Sequence, residues 1–142
     1  MASGIVNVCF DPRLNHDAIR QQVRERAAEP RPASSSIFVI GDAGGNFGSG
    51  ARNLIALFAR QREPIAIAAL LHHDDCRAAA AGMRHNLSTS AKALQDALQA
   101  AGYDVPVLTG TVVTETSTIV WTDRPSTTSE VSTFRMPRMY GQ

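Results

Sequence analysis

Short apolar runs alternate along this chain with segments in which apolar residues recur every three or four positions. The runs are typical of buried strands, and the recurring pattern is typical of helices with one inward face. This alternation predicts an α/β fold, with a mostly parallel central sheet of about four to five strands flanked by helices. The predicted strands lie at residues 5–10, 37–40, 65–71, 105–113 and 116–121.

Polar residues that can cap a helix mark where two of the predicted helices begin. Asn15 or Asp17 is placed to cap the helix after the first strand. Ser88 or Ser90 is placed to cap a later helix, and Gly102 is a suitable residue to end it. The chain therefore carries boundary signals that agree with its hydrophobic pattern.

The 142 residues are enough for one domain with its own core. We expect residues 1–122 to form the α/β domain and the Ser/Thr/Pro-rich residues 123–142 to be a tail or an arm on a partner subunit. A formal net charge of +1 gives no field that would attract nucleic acid or a membrane surface. The sequence shows no apolar run of membrane-spanning length and no basic-then-apolar leader. We therefore expect a cytoplasmic protein with no nucleic-acid or membrane partner.

Residues with metal-binding chemistry follow two of the predicted strands. Cys9 ends the first run, and His73 and Cys76 follow the third, while a glycine-rich turn at residues 41–48 follows the second. The carboxyl ends of parallel strands meet at one edge of a sheet, so these segments should converge there. Thiolates and imidazoles are good zinc ligands. In a chain with two cysteines and no export leader this favours a zinc (Zn²⁺) site, with free buried thiols of the core as the first alternative and a disulfide in a secreted protein as the remote one.

Three protein ligands leave the fourth position of a tetrahedral zinc open, which is the catalytic arrangement. Asp11 comes two residues after Cys9, so in an extended segment its side chain shares the same side, as does that of Arg13. An arginine fork that binds the carboxylate would keep Asp11 ionised and out of the fourth position. The alternative is a surface ion pair of little energetic weight. Neighbours on a strand face opposite ways, so His72 should not share an ion with His73.

These segments resemble the β-class carbonic anhydrases. The segment from Cys9 to Arg13 resembles the C-x-D-x-R motif of that family, and the segment from His73 to Cys76 resembles its H-x-x-C motif. Ala43-Gly44-Gly45 resembles the A-G-G turn between them, and residues 107–121 are similar to the final hairpin. The resemblance runs in the family's order from about residue 4 to residue 122.

The resemblance implies a zinc lyase that reversibly hydrates carbon dioxide to bicarbonate, with zinc-bound hydroxide as the nucleophile. It also implies a homodimer or a higher homo-oligomer that acts on a small linear gas. In this sequence the implied zinc ligands are Cys9, His73 and Cys76. The implied catalytic dyad is Asp11 and Arg13, and Ala43, Gly44 and Gly45 are implied to shape the pocket.

Two departures from the family pattern lie beside the motifs. Gly41-Asp42 stands where the family has Arg-Asn, and Arg77 stands where it has a glycine. We expect the added acid and the added base to pair with each other. The changed loops leave two further hypotheses open: a carbonyl sulfide or carbon disulfide hydrolase on the same scaffold, and a zinc-binding assembly protein whose catalysis has lapsed.

Overall fold

Residues 3–27 and 36–122, the parts of the chain that the computed structural model describes, contain one five-stranded sheet. Its strands are β1 (Ser3–Val8), β2 (Ser36–Gly41), β3 (Ile65–His73), β4 (Val107–Val113) and β5 (Thr118–Trp121). The strand order is β2-β1-β3-β4-β5, with β1 to β4 parallel and β5 antiparallel to β4. The predicted α/β fold with a mostly parallel sheet is therefore confirmed. The predicted tail at residues 123–142 lies outside the described residues.

Helices cover both faces of the sheet because alternate residues of each strand point to opposite sides. On β3, Ala69 and Leu71 belong to the core beneath the first helix, while Ala68 and Leu70 belong to the core beneath two later helices. None of the described helices has the length and apolar character to cross a bilayer. The helices are α1 (His16–Ala27), α2 (Ser49–Gln61), the single-turn α3 (Arg77–Ala80) and α4 (Leu87–Ala100).

Of the two residues predicted to cap α1, Asn15 is the cap, and Asp17 lies inside the helix. The predicted end of α4 at Gly102 is confirmed, and the predicted cap at its start is wrong. Asn15 caps α1, since its Oδ1 accepts a hydrogen bond from the backbone N of Ala18 at 3.1 Å. Gly102 has a φ of +95° just after α4, as expected of a residue that ends a helix.

The predicted Ser88 or Ser90 cap of α4 is wrong. Asn86 caps this helix by accepting from the backbone N of Thr89 at 2.8 Å, so the helix begins one residue before Ser88.

The strand order brings the predicted site residues to one edge of the sheet. From β1 the chain passes to β2 on one side and then returns to β3 on the other, so β1 and β3 are neighbours although they are distant in sequence. Ligand sites of open α/β sheets form where the strand order reverses in this way. Cys9 directly follows β1 at this point, and His73 is the last residue of β3.

Candidate metal centre

The structure brings the three predicted ligands together. The ligand atoms of Cys9, His73 and Cys76 all lie within 4.8 Å of one another. The three residues are only 4%, 1% and 6% exposed, respectively. Both thiols are free, so no disulfide occupies the cluster. Two sulfurs and one nitrogen in a buried cluster are a donor set suited to a thiophilic cation such as zinc.

The surroundings of Cys9 shift the pKa of its thiol in opposite directions. Burial raises the pKa of this thiol, and hydrogen bonds from the backbone of Gly44 and Asp11 lower it, with burial the stronger. The nearby thiol of Cys76 adds to the rise. A cation bound at the cluster would reverse this balance, because a coordinated thiol is deprotonated. The backbone donors then help to hold the thiolate in place.

The two ring nitrogens of His73 have different surroundings. Nδ1 lies 2.9 Å from Oγ1 of Thr114. Nε2 is buried and has no hydrogen-bond partner within the described residues, since the nearest carboxylate oxygen, Oδ2 of Asp11, is 3.9 Å away. Buried polar atoms are rarely left without a partner. The unpartnered Nε2 is therefore the atom that fits the role of metal ligand.

Arg13 holds the carboxylate of Asp11 with several hydrogen bonds. Oδ1 accepts from the backbone N of Arg13 at 2.9 Å and from its Nε at 3.0 Å, and Oδ2 accepts from Nη2 at 2.6 Å. These bonds keep the pKa of Asp11 well below its ordinary range. The Asp11 carboxylate is not a member of the three-residue ligand group. The predicted Asp–Arg arrangement is thus present at the side of the cluster.

Arg13 also contacts Asp75, which was not predicted as a site residue. Its Nη1 donates to Oδ2 of Asp75 at 2.8 Å, and its Nη2 donates to the Asp75 carbonyl oxygen at 3.0 Å. Asp75 has a φ of +51°, a left-handed conformation that asparagine and aspartate adopt more readily than most residues. One guanidinium therefore joins the loop after β1 to the loop after β3, and no local sequence signal indicates this.

The A-G-G turn supports the cluster from the side of β2. Gly44 and Gly45 have φ values of +69° and +76°. A Cβ on Gly45 would lie 2.5 Å from the carbonyl oxygen of Leu71, so the turn can approach β3 only with a glycine there. Buried Asn7 fixes the turn, because its Nδ2 donates to the carbonyl oxygens of Gly45 at 2.9 Å and Asn46 at 3.0 Å. Asn7 was not predicted as a site residue, although a polar residue inside an apolar run was a usable signal.

A cavity of about 280 Å³ opens beside Cys9. The A-G-G turn is not part of its lining; Gly44 acts instead through its backbone hydrogen bond to the Cys9 thiol. The cavity combines an apolar wall with two arginines and one carboxylate. Its lining residues are Cys9, Phe10, Asp11, Pro12, Arg13, Arg77 and Ala78.

The expected pairing of Asp42 with Arg77 is wrong. Oδ2 of Asp42 is buried and has no hydrogen-bond partner within residues 3–27 and 36–122. The carboxylate lies where side chains on Gly48 or Gly50 would meet it, at the start of α2. Arg77 lines the cavity beside Cys9. The two residues therefore do not form the expected ion pair.

His72 lies apart from the ligand group, as the strand alternation predicts. Its ring is buried and packs near Gly45, where an added Cβ would lie 3.2 Å from Cδ2 of the imidazole. Burial lowers the pKa of His72 to about 4, with a smaller contribution in the same direction from the positive charge of Arg84. His72 is therefore neutral at physiological pH and serves the packing of the turn.

Sequence comparison and fold comparison give different results for this chain. No protein-family model and no curated protein matches the sequence. One similar solved structure is a carbonic anhydrase from Streptococcus mutans, which is 16% identical, with an alignment that covers 84% of this chain and 81% of the other and a TM-score of 0.44. At this TM-score and identity the likeness decides neither family nor function.

Proposed function

We propose that this chain is a short, divergent β-class carbonic anhydrase, a zinc-dependent lyase that reversibly hydrates carbon dioxide to bicarbonate and a proton. One observation carries the proposal. The ligand atoms of three buried residues lie within 4.8 Å of one another, beside a carboxylate that an arginine holds by hydrogen bonds. These five residues are the chemistry-bearing positions of the two motifs in the sequence resemblance: Cys9, His73, Cys76, Asp11 and Arg13.

The donor set fits zinc. Thiolate and imidazole are ligands that zinc binds well, whereas hard cations such as Mg²⁺ prefer oxygen. A cation at Nε2 of His73 would satisfy a buried atom that has no other partner among the described residues. Three protein ligands leave one position for water or substrate, which is the arrangement of catalytic zinc sites.

Asp11 and Arg13 supply the orientation that the reaction needs. Cys9, His73 and Cys76 would hold the zinc ion, which would supply a nucleophile near neutral pH by lowering the pKa of water. Asp11 stays ionised because Arg13 donates hydrogen bonds that lower its pKa. It is therefore a hydrogen-bond acceptor and not a proton donor, and its Oδ2 lies 3.9 Å from the unpartnered Nε2 of His73. An acceptor fixed at this distance can orient a proton-bearing group at the site.

The cavity beside Cys9 suits a small uncharged substrate. Phe10, Pro12 and Ala78 contribute apolar wall, and Asp11 and Arg13 are already engaged with each other. Carbon dioxide is linear and apolar, as are carbonyl sulfide and carbon disulfide. The wall chemistry is compatible with all three gases, so all three belong in the assay.

We also propose that the active form is a homodimer or a higher homo-oligomer. Phe10 is 65% exposed in the wall of the cavity, and a second copy that covered it would remove the ring from water. Analytical ultracentrifugation should show an oligomer that Phe10→Ala weakens. Val120→Ala, which removes apolar surface from a side chain of 60% exposure on the edge strand β5, is the matched control. A monomeric wild-type protein would contradict this part of the proposal.

Metal content and stopped-flow carbon dioxide hydration, measured on one purified sample, test the proposal. We expect about one zinc per chain, rapid hydration, and loss of both in Cys76→Ser. Zinc with turnover of only the sulfur gases would indicate the hydrolase, and zinc without turnover of any of the three would indicate the assembly protein. A folded wild-type protein with two free thiols and no zinc would refute the metal site itself.

A further inference from the structure

A hydrogen-bond chain behind His73 fixes which of its nitrogens can bind a metal. Thr114 Oγ1 lies 2.9 Å from Nδ1 of His73 and 2.5 Å from the carbonyl oxygen of Asp74. A carbonyl oxygen can only accept, and a hydroxyl has one proton to donate. The Thr114 hydroxyl must therefore donate to Asp74, and toward His73 it can act only as an acceptor.

The direction of these hydrogen bonds determines the tautomer of His73. An acceptor at Nδ1 requires the proton on Nδ1, which places the lone pair of the neutral ring on Nε2. Nε2 is the buried atom that has no hydrogen-bond partner in the described part of the chain. A metal-binding histidine usually donates its second N–H to a fixed acceptor, which orients the ring and sets the tautomer. Here that acceptor is a threonine hydroxyl whose own proton is held by a backbone carbonyl.

The acceptor is itself held in place from several directions. Thr114 is buried and directly follows β4, which pairs with β3 so that Val112 lies opposite His73. Its backbone N donates to Oδ1 of Asp74 at 2.7 Å, and the backbone N of Asp74 donates to the carbonyl oxygen of Val112 at 3.1 Å. The hydroxyl therefore cannot leave His73 without disturbing the end of the sheet.

We propose that Thr114 is a positioning residue for the metal centre, which keeps the Nε2 lone pair of His73 directed at the two cysteines. This inference rests on the metal-binding part of the proposed function and not on the identity of the substrate. Thr114 would act through His73, without contact to the metal or to substrate. Its removal should thus alter the tautomer and the metal affinity, and not only the rate.

Three variants separate positioning from general structure. Thr114→Val removes the hydroxyl, Thr114→Ser keeps it, and Thr109→Val makes the same change on β4 at a position paired with Leu70. In the zinc-free protein, long-range ¹H–¹⁵N NMR should show His73 protonated on Nδ1 in the wild type and in Thr114→Ser. In Thr114→Val we expect a mixture of tautomers. Zinc binding, measured by competition with a chromophoric chelator, should be weakened roughly 10–100-fold in this variant. The zinc affinity of Thr114→Ser and Thr109→Val should be close to that of the wild type.

The outcomes separate this inference from the proposed reaction. A wild-type His73 protonated on Nε2 would overturn the assignment, even if Thr114→Val failed to fold. Unchanged zinc affinity in a folded Thr114→Val, or equal losses in Thr114→Val and Thr114→Ser, would overturn it too. A wild-type protein that binds zinc, shows the Nδ1 tautomer and fails to hydrate carbon dioxide would support the role of Thr114 and refute the reaction.

Discussion

The guanidinium of Arg13 engages both carboxylate oxygens of Asp11, with Nη2 2.6 Å from Oδ2 and Nε 3.0 Å from Oδ1. This pairing has two consequences for the site. It favours the ionised carboxylate, and it occupies the oxygens of the group that stands nearest to the ligand cluster. A carboxylate without such a partner is itself a good zinc ligand. Arg13 is thus expected to keep the fourth metal position open.

Removal of that partner should close the site. In Arg13→Ala we expect zinc to remain bound while Asp11 becomes a fourth ligand, with a fall in carbon dioxide hydration of roughly 10²-fold or more, since general acid–base groups contribute on that scale. The visible spectrum of the cobalt-substituted protein reports the change of ligands. Arg77→Ala is the matched control, because Arg77 lines the same cavity and forms no ion pair with Asp11. A wild-type cobalt spectrum in Arg13→Ala would contradict the expectation.

Asp11→Asn should separate metal binding from turnover. The amide is nearly the same size but is uncharged and a weaker acceptor, so we expect wild-type zinc content with a hydration rate lowered by roughly 10²-fold. Metal analysis and stopped-flow rates on the same sample check both parts. Asp96→Asn, on the exposed face of α4 where the side chain pairs with Lys92, controls for the chemical change. Full activity in Asp11→Asn would show that this carboxylate has no part in the reaction.

Metal removal should reveal how far the cluster supports the fold. A ligand present at 100 times its Kd stabilises a protein by about 2.7 kcal/mol, so a chelator should lower the Tm of the wild-type protein. His73→Gln should make the Tm insensitive to both zinc and chelator. His85→Gln should respond as the wild type does, because His85 is exposed on the loop before α4. A Tm of the wild-type protein that zinc does not change would argue against a metal bound to the folded state.

The pH dependence of stability follows from the depressed pKa of Asp11. A carboxylate with a lowered folded-state pKa stabilises the fold above its unfolded value, about 3.9. That stabilisation is lost as the pH falls through the lower folded value. In the zinc-free protein, the difference in free energy of unfolding between wild type and Asp11→Asn should therefore shrink from about pH 6 to about pH 3. Arg13→Ala should return the Asp11 pKa, measured by ¹³C NMR of the carboxyl carbon, toward its ordinary value.

The sequence was sufficient to predict the fold class and the cluster, since both depend on local patterns and one general rule. Apolar runs predicted the strands. The carboxyl ends of parallel strands lie at one edge of a sheet, and this rule predicted that Cys9 lies near His73 and Cys76. Asp11 and Arg13 could be placed near them because they lie within four residues of Cys9. The expected extended segment is wrong, however: β1 ends at Val8, and residues 12 and 13 form a turn in which the backbone N of Leu14 donates to the Asp11 carbonyl oxygen at 3.2 Å. No register was needed for any of these steps.

The contacts that the sequence could not predict depend on register and on backbone conformation. Thr114 reaches His73 only because β4 pairs with β3 in the register that sets Val112 opposite His73. Asp75 reaches Arg13 from a left-handed conformation that its neighbours in sequence do not indicate. The cap at Asn86 was missed for a simpler reason, since four polar residues within five positions could each begin the helix and only hydrogen bonding distinguishes them.

Gly45 and Gly82 have the same φ of +76° in opposite surroundings. A Cβ on Gly45 would lie 2.5 Å from the Leu71 carbonyl oxygen, whereas a Cβ on Gly82 would meet nothing within 4 Å. Gly82→Ala should therefore cost only the left-handed backbone of a non-glycine residue, about 1–2 kcal/mol. Gly45→Ala should cost about 1–3 kcal/mol more, because the turn must move away from β3.

That movement should also reach the metal centre. Gly44 precedes Gly45, and its backbone hydrogen bond to the Cys9 thiol depends on the position of the turn. We expect weaker zinc binding in Gly45→Ala and unchanged binding in Gly82→Ala, measured by chelator competition alongside denaturant unfolding of the zinc-free proteins. If the two variants lost equal amounts of stability and zinc affinity, the left-handed backbone conformation alone would account for the losses. The close approach of the turn to β3 would then have no role in holding Cys9 in place.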